Sequence, residues 1–478
     1  MKKIYLFLVF FVVASLGLQS CEDMDDTIPS SSVESFVWKG MNLYYLWQAD
    51  VPELADDRFV NQAELDAFLT TFENPTTLFN SLRVDESIDR FSVIVRDYSV
   101  LENLFQGVTK NNGVDFGLRL KQGSTTEVYG WVRYIIPNSD ASTKDIQRGD
   151  IFYAVNGTAM NVDNYVALLS SENYTLNLAD FDNGAITPNG QSVNLTKTEL
   201  TENPVFQKQI IEIGTDKIAY LVYNGFTANF DSELNAAFGE FQAAGATALV
   251  LDLRYNSGGS VQTATRLGSM ITGQFNGQLF AKQQWNAKLQ SYFEENNAGA
   301  LVNNFENSIG NSSINSLQLS KVYILTTKAT ASASELVINS LKPYIDVVQI
   351  GDVTTGKNVG SVTLYDSPTF GRENRSPKHK YAMQPIVIKT INKVGFGDYQ
   401  SGIQPTILLP ENLSNLSQLG NQNEPLLSTA LGLITASDRR IRPNSGQQSA
   451  DFSDSKSMRR FGNDMYIETP RGGFPNGL

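Results

Sequence analysis

A run of 15 residues, Ile4 to Leu18, carries no charge and is rich in Phe, Leu and Val; it follows the basic start Met1-Lys2-Lys3. That length is short for a membrane span and suits a secretory signal. Further on, Val33, Phe36, Val37, Met41, Tyr44 and Tyr45 fall near helical spacing, as do Leu65, Phe68 and Leu69. The stretch 33–106 is therefore predicted to be a helical N-terminal segment, a small cap with Trp38 and Trp47 in its core. From 107 to 203 the pattern changes to strands, with alternating or broadly apolar runs at Gly113–Leu120 and Val128–Ile136. Ala179 to Gln191, with Asn, Gly and Pro, reads as an insertion loop. From 204 to 436 apolar strands alternate with helical stretches: Lys217–Val222, then Ser232–Ala243 with Leu234, Phe238 and Phe241 at helical spacing, then Thr247–Leu253, Lys321–Thr327 and Pro385–Thr390. This alternation predicts a layered α/β core. Beyond Ser437 the chain is rich in Ser, Asn, Gly and Arg, and 437–478 is predicted to be a mobile tail. No tandem repeat of solenoid length is present.

The length of 478 residues suggests about three domains. With 37 basic against 50 acidic residues the formal charge is −13, which argues against nucleic acid as the main partner. The chain has 1 Cys and 1 His. A disulfide framework, a cysteine cluster for metal and a multi-histidine metal site are all excluded. His379, in the charged stretch Pro377-Lys378-His379-Lys380, is the only candidate for a histidine triad, and its setting reads as a loop.

The single cysteine falls at one informative place. Leu18-Gln19-Ser20-Cys21 resembles the bacterial lipobox, with a leucine three before the cysteine and a small residue just before it. The resemblance implies removal of residues 1–20 and lipid attachment to Cys21. Acyl chains would then hold the protein to a bacterial membrane, outside the cytoplasm. Glu22-Asp23-Met24-Asp25-Asp26 reads either as a surface-export tag or as a solvated spacer, and 21–32 as an acidic tether.

Three segments of the predicted core carry candidate chemistry. In Lys328-Ala329-Thr330-Ala331-Ser332-Ala333-Ser334-Glu335 a strand passes into a helix. A serine there lies near unpaired N–H groups that stabilise an oxyanion, yet Ser332-Ala333-Ser334-Glu335 also satisfies a helix capping box. In Leu251-Asp252-Leu253-Arg254-Tyr255-Asn256-Ser257-Gly258-Gly259 a buried strand ends at a double glycine, which lets a backbone N–H approach a ligand or simply makes a turn. In Thr355-Gly356-Lys357-Asn358-Val359-Gly360 a lysine lies between glycines. It is not a P-loop, because Gly-x-x-x-x-Gly-Lys-Ser/Thr is absent.

Together the three resemble the carboxy-terminal processing, or tail-specific, serine protease family. The family has a strand ending in Asp-Leu-Arg-x-Asn-x-Gly-Gly, a serine in Ser-Ala-Ser-Glu, and a lysine in Gly-Lys about 25 residues later, all present here in that order. Gly402-Ile403-Gln404-Pro405 resembles the late Gly-Ile-x-Pro of the family. Upstream, Gly149-Asp150-Ile151 leading into Val155-Asn156-Gly157 resembles a PDZ domain, whose carboxylate-receiving loop would match Asp115-Phe116-Gly117-Leu118. The resemblance implies a crotonase-like α/β protease core over 204–436 and a small β-rich PDZ-like domain over 107–203, with Phe116, Gly117 and Leu118 as peptide contacts. It also implies Ser332 as nucleophile and Lys357 as general base, which must be neutral to take the serine proton. Ala333 and either Gly258 or Gly259 would supply oxyanion donors, with no cofactor. One position departs: the family often has a glutamine four residues after the lysine, where this chain has Ser361 as a possible lysine-orienting group. The expected activity is therefore a lipid-anchored serine endopeptidase acting on protein or peptide substrates. The alternatives are an inactive, peptide-binding lipoprotein and an esterase.

Overall fold

The computed structural model describes residues 32–436, 451–459, 461–462 and 464–468. Cys21, the leader and the acidic tether up to residue 31 lie outside the described residues.

Ser32 caps the first helix, α1 (Val33–Tyr44), its hydroxyl accepting the N–H of Ser35 at 3.1 Å. Asn61 and Asn74 cap α2 (Gln62–Leu69) and α3 (Pro75–Ser81) in the same way. The apolar faces of these helices do not form a cap of their own. Phe36, Met41, Leu65 and Phe79 pack into one core with Trp285, Val362, Leu364, Met383 and Ile388 of the later chain. The helical pattern is as predicted, but the separate cap is not. Trp38 is buried in this core, donating to the Glu53 carbonyl at 2.8 Å, and Trp47 packs on its edge.

Next comes a β-rich domain with its own core of Phe116, Leu118, Val132, Phe152 and Leu176. Its strands β1 (Val114–Leu120), β2 (Val128–Ile135), β3 (Ile151–Val155), β4 (Asn173–Asp182) and β5 (Ala185–Thr196) lie antiparallel in that order. The predicted insertion loop 179–191 is instead a long hairpin of β4 and β5. Asn183 (φ 46°) and Gly184 (φ 102°) make its two-residue turn, and an Asn-Gly pair favours that left-handed geometry.

The largest unit is the α/β core. It contains β6 (Val205–Ile213), β7 (Asp216–Tyr223), α4 (Asp231–Ala243), β8 (Ala248–Asp252), α5 (Val261–Thr272), β9 (Lys321–Thr326), α6 (Ala333–Leu341), β10 (Asp346–Gly351), β11 (Ile407–Leu408) and α7 (Pro425–Ile434). The strands form one sheet in the order β6-β7-β8-β9-β10-β11, parallel except at β6–β7. Both faces are covered, α4 to α6 on one and α7 on the other, which is why β8 and β9 read as continuous apolar runs. A second six-stranded sheet contains Gly259–Ser260, Val359–Ser361 and Ile386–Ile391.

The described part of the predicted mobile tail pairs with the fold in two short strands. Strand β12 (Asp451–Asp454) adds antiparallel to the edge of β1, with Ser453 opposite Leu118 and Asp454 opposite Gly117. Strand β13 (Met465–Tyr466) lies between Gly259–Ser260 and Val359–Ser361, parallel to both. Met465 is fully buried. Main-chain ladders, single polar contacts and scattered apolar side chains hold these stretches, Met458 against the β-rich core and Met465 and Ile467 in or against the α/β core, and such scattered positions leave little hydrophobic periodicity to read.

Candidate active site

Strand β9 ends at Thr326, and six residues later, at Ser332, the chain turns into α6. Ser332 has φ +65° and ψ −117°, left-handed backbone that a non-glycine residue rarely adopts. Such strain persists only where the surroundings fix it. Glu335 provides that: its Oε2 accepts the Ser332 N–H at 2.8 Å. The two residues stand in capping-box register, but Glu335 supplies its well-formed half. Ser332 Oγ is buried and has no hydrogen-bond partner among the described residues. A buried hydroxyl left without a partner is uncommon and calls for a reason.

The same Glu335 oxygen accepts the N–H of Lys357 at 2.8 Å, while Oε1 accepts the Gly356 N–H at 2.6 Å and the Thr354 hydroxyl. One fully buried carboxylate thus bridges the main chains that carry Ser332 and Lys357. Burial pushes the Glu335 carboxyl up, and its hydrogen bonds from Thr354, Ser332, Gly356 and Lys357 oppose that rise. The sequence marked Glu335 only as a cap partner; its bridging role depends on a loop 20 residues downstream, which no local pattern reveals.

Lys357 is fully buried. Its Nζ lies 4.4 Å from the ring centre of Phe91 and donates to Asp464 Oδ1 at 2.9 Å. Asp464 directly precedes β13, and no local pattern in the chain marks it. Ser361 has other described partners: its hydroxyl donates to the Met465 carbonyl at 3.1 Å and accepts from Gln384 at 3.0 Å.

The glycine turn lies against the serine. A Cβ on Gly258 (φ +112°) would stand 2.5 Å from Ser332 Cβ and 2.7 Å from its Oγ, so only glycine fits. Gly259 faces the Phe226 backbone instead. Asn256 ties turn and helix together: its side chain accepts the Gly258 N–H at 2.9 Å, and its carbonyl accepts from Ala331 N–H and the Ser334 hydroxyl, each at 3.1 Å. Ala333 opens α6, where helix N–H groups lack intrahelical partners. Beside this turn a cavity of about 120 Å³ is lined by Phe226, Gly258, Gly259, Lys456, Asp464 and Tyr466 among others.

A buried charge network holds the turn from behind. Arg254 pairs with Asp252 (2.6 Å), Glu424 (2.8 Å) and Glu411 (3.0 Å). Arg148, from the β-rich domain, donates to Tyr255 Oη at 2.6 Å and to Glu411 at 2.7 Å. Burial alone would raise the Glu411 carboxyl, but Arg148 and Arg254 outweigh it and hold it at about 2. Phe116, Gly117 and Leu118 lie on β1, away from this turn, with β12 on their edge. His379 sits with Phe36 and Asp366 in the N-terminal core, both ring nitrogens engaged, by Asp366 and by the Tyr381 N–H, each at 3.0 Å.

Residues 217–374 match Peptidase family S41, and residues 32–93 match the Peptidase S41 N-terminal domain. The chain carries a peptidase family S41 domain. A carboxyl-terminal-processing protease of Picosynechococcus sp. is 26% identical over 248 residues, 51% of this chain and 51% of that protein. The chain thus spans about half the length of that curated relative. A crystal structure of a Bacteroides fragilis protein assigned to the S41 proteases aligns with a TM-score of 0.65 at 28% identity, covering 84% of this chain and 97% of the other. The photosystem II D1 C-terminal processing protease gives a TM-score of 0.49 at 18% identity, over 86% of this chain and all of the other. The S41 match contains Gly258, Ser332, Glu335 and Lys357. The β-rich domain falls between the two matched spans, and the C-terminal stretches that reach the S41 site, with Asp464, lie beyond both.

Proposed function

We propose that the protein is a lipid-anchored serine endopeptidase that hydrolyses peptide bonds of extracytoplasmic proteins through an acyl-enzyme. The observation that carries this reading is the Ser332 hydroxyl: buried, unpartnered, set on strained backbone, and joined through Glu335 to Lys357. In its neutral form Lys357 takes the Ser332 proton as Oγ attacks the substrate carbonyl. The oxyanion develops at the start of α6, toward the Ala333 N–H and the Gly258-Gly259 turn. The amine leaves with the proton from Lys357, and water releases the acyl group by the reverse route.

The β-rich domain is read as PDZ-like. Support comes from β1, whose edge around Phe116, Gly117 and Leu118 accepts an added strand, a common way to hold an extended peptide. The anchor rests on the lipobox resemblance at Cys21. No helix among the described residues is long and apolar enough to cross a membrane.

The test uses the chain from Glu22 onward with an unfolded protein, fragments being read by mass spectrometry. Ser332→Ala and Lys357→Ala are each expected to abolish cleavage. Cleavage that neither substitution alters would overturn the assignment. Absence of cleavage in every form, including one with Asp464→Asn, would leave a peptide-binding protein.

A further inference from the structure

Two features of the S41 site are at odds with immediate turnover. The amine that must accept a proton is itself engaged, donating to the Asp464 carboxylate at 2.9 Å. The Asp464 main chain also comes close to the serine: its carbonyl oxygen and Ser332 Oγ stand 2.9 and 2.7 Å from the point where a Gly258 Cβ would be. Both Asp464 groups belong to the chain's own C-terminal part.

That part makes the contacts an extended peptide ligand would make. β12 adds to the β1 edge, with Ser455 N–H donating to the Phe116 carbonyl at 2.9 Å. Lys456 Nζ donates to the carbonyls of Asn224 and Tyr255, at 2.9 and 2.8 Å, next to the glycine turn. β13 then pairs with Gly259–Ser260, and Ile467 N–H donates to the Ser361 carbonyl at 3.0 Å. The strands are only four and two residues long, and short pairings of this kind open locally at lower cost than the global fold.

We infer that the stretches 451–459 and 464–468 are a tethered, displaceable ligand of the enzyme's own peptide channel, and that Asp464 keeps the enzyme latent until a substrate segment replaces it. The inference rests on the proposed peptidase reading. The channel accepts an extended segment at the β1 edge and again beside Ser332, and a substrate without a carboxylate at the Asp464 position frees the Lys357 amine. Apparent activity is then reduced by the fraction of molecules whose channel is occupied.

The experiment compares the full mature chain with its Asp464→Asn and Ser455→Pro forms, on a quenched-fluorescent unfolded substrate. The first keeps shape and removes the charge at Lys357. The second removes the N–H that joins the tail to β1, far from Ser332. Circular dichroism confirms folding of both. Each form is expected to cleave at least about tenfold faster than the parent, since each weakens the resident segment. Equal rates in all three would overturn the latency while leaving the peptidase standing. A large loss in Asp464→Asn alone would make Asp464 an orienting group for Lys357 and would also overturn it. No cleavage in any form overturns the peptidase reading and the latency together.

Discussion

At the scale of single residues the site depends on a carboxylate that touches no substrate. Glu335 accepts from the main chains of both Ser332 and Lys357, so one side chain ties together the proposed nucleophile and base. Glu335→Gln keeps the volume but offers an amide that cannot accept all four hydrogen bonds. Each buried donor left unpaired costs about 1–3 kcal/mol, and a displacement near 1 Å at a reacting group costs on the order of 100-fold in rate. The expected result in the Asp464→Asn background is a fall in kcat of about that size with KM little changed. A purely structural role would instead lower the melting temperature and leave kcat of the folded fraction intact. The strained φ of Ser332 fits this account, because only a rigid partner such as Glu335 keeps a non-glycine residue there.

At the scale of elements, the β8 exit carries the glycine turn, and a domain outside the α/β core helps to hold it. Arg148 reaches across to Tyr255 and Glu411, three residues before Gly258 and beside Arg254. Because the Glu411 carboxyl is held at about 2, below its ordinary 4.5, it contributes stability in full above pH 4.5 and loses it as the pH falls toward 2. The difference corresponds to on the order of 3 kcal/mol. Urea unfolding between pH 5 and about 2.5 is expected to show this loss in the parent, and a much shallower slope in Glu411→Gln. Equal slopes would mean that other carboxylates govern acid stability.

The elements also show what was legible beforehand. The parallel strands β7 to β9 and helix α4 stood out because two-sided burial leaves unbroken apolar runs and α4 keeps one apolar face. Ser332, Lys357 and the glycine turn stood out only through the combined resemblance of three segments to a protease family, since each alone also reads as a cap, a turn or a loop lysine. The β4–β5 hairpin was hidden by its polar, exposed face, although Asn183-Gly184 signals a turn. Strands β12 and β13 were hidden for a deeper reason. Their stability comes from edges and charges hundreds of residues away, Arg133 for Asp454 and Lys357 for Asp464, and no periodicity in a Ser/Asn/Gly-rich stretch records that.

At the scale of the whole molecule, the N-terminal helices share one core with the part of the chain around the second six-stranded sheet. Phe36, Met41, Leu65 and Phe79 share a core with Met383, Ile388, and Val362 and Leu364, the last two just beyond the strand that follows Lys357. Phe91, from the connection after α3, supplies the ring against the Lys357 amine. Removing residues 33–92 would uncover several large side chains at about 1.5–3 kcal/mol each. That loss is comparable with the about 5–15 kcal/mol by which domains are stable, so the remainder is not expected to fold. A gentler test keeps the chain whole. Of the 4 tryptophans, Trp38, Trp47 and Trp285 lie in or against the shared core, while Trp131 belongs to the β-rich domain. In a Trp131→Phe chain, thermal unfolding followed by tryptophan fluorescence is expected to coincide with the loss of helical circular dichroism. An early fluorescence transition with the helical signal of α4 to α7 preserved would show instead that the N-terminal helices detach by themselves, and the Lys357 environment would then owe nothing to their folding.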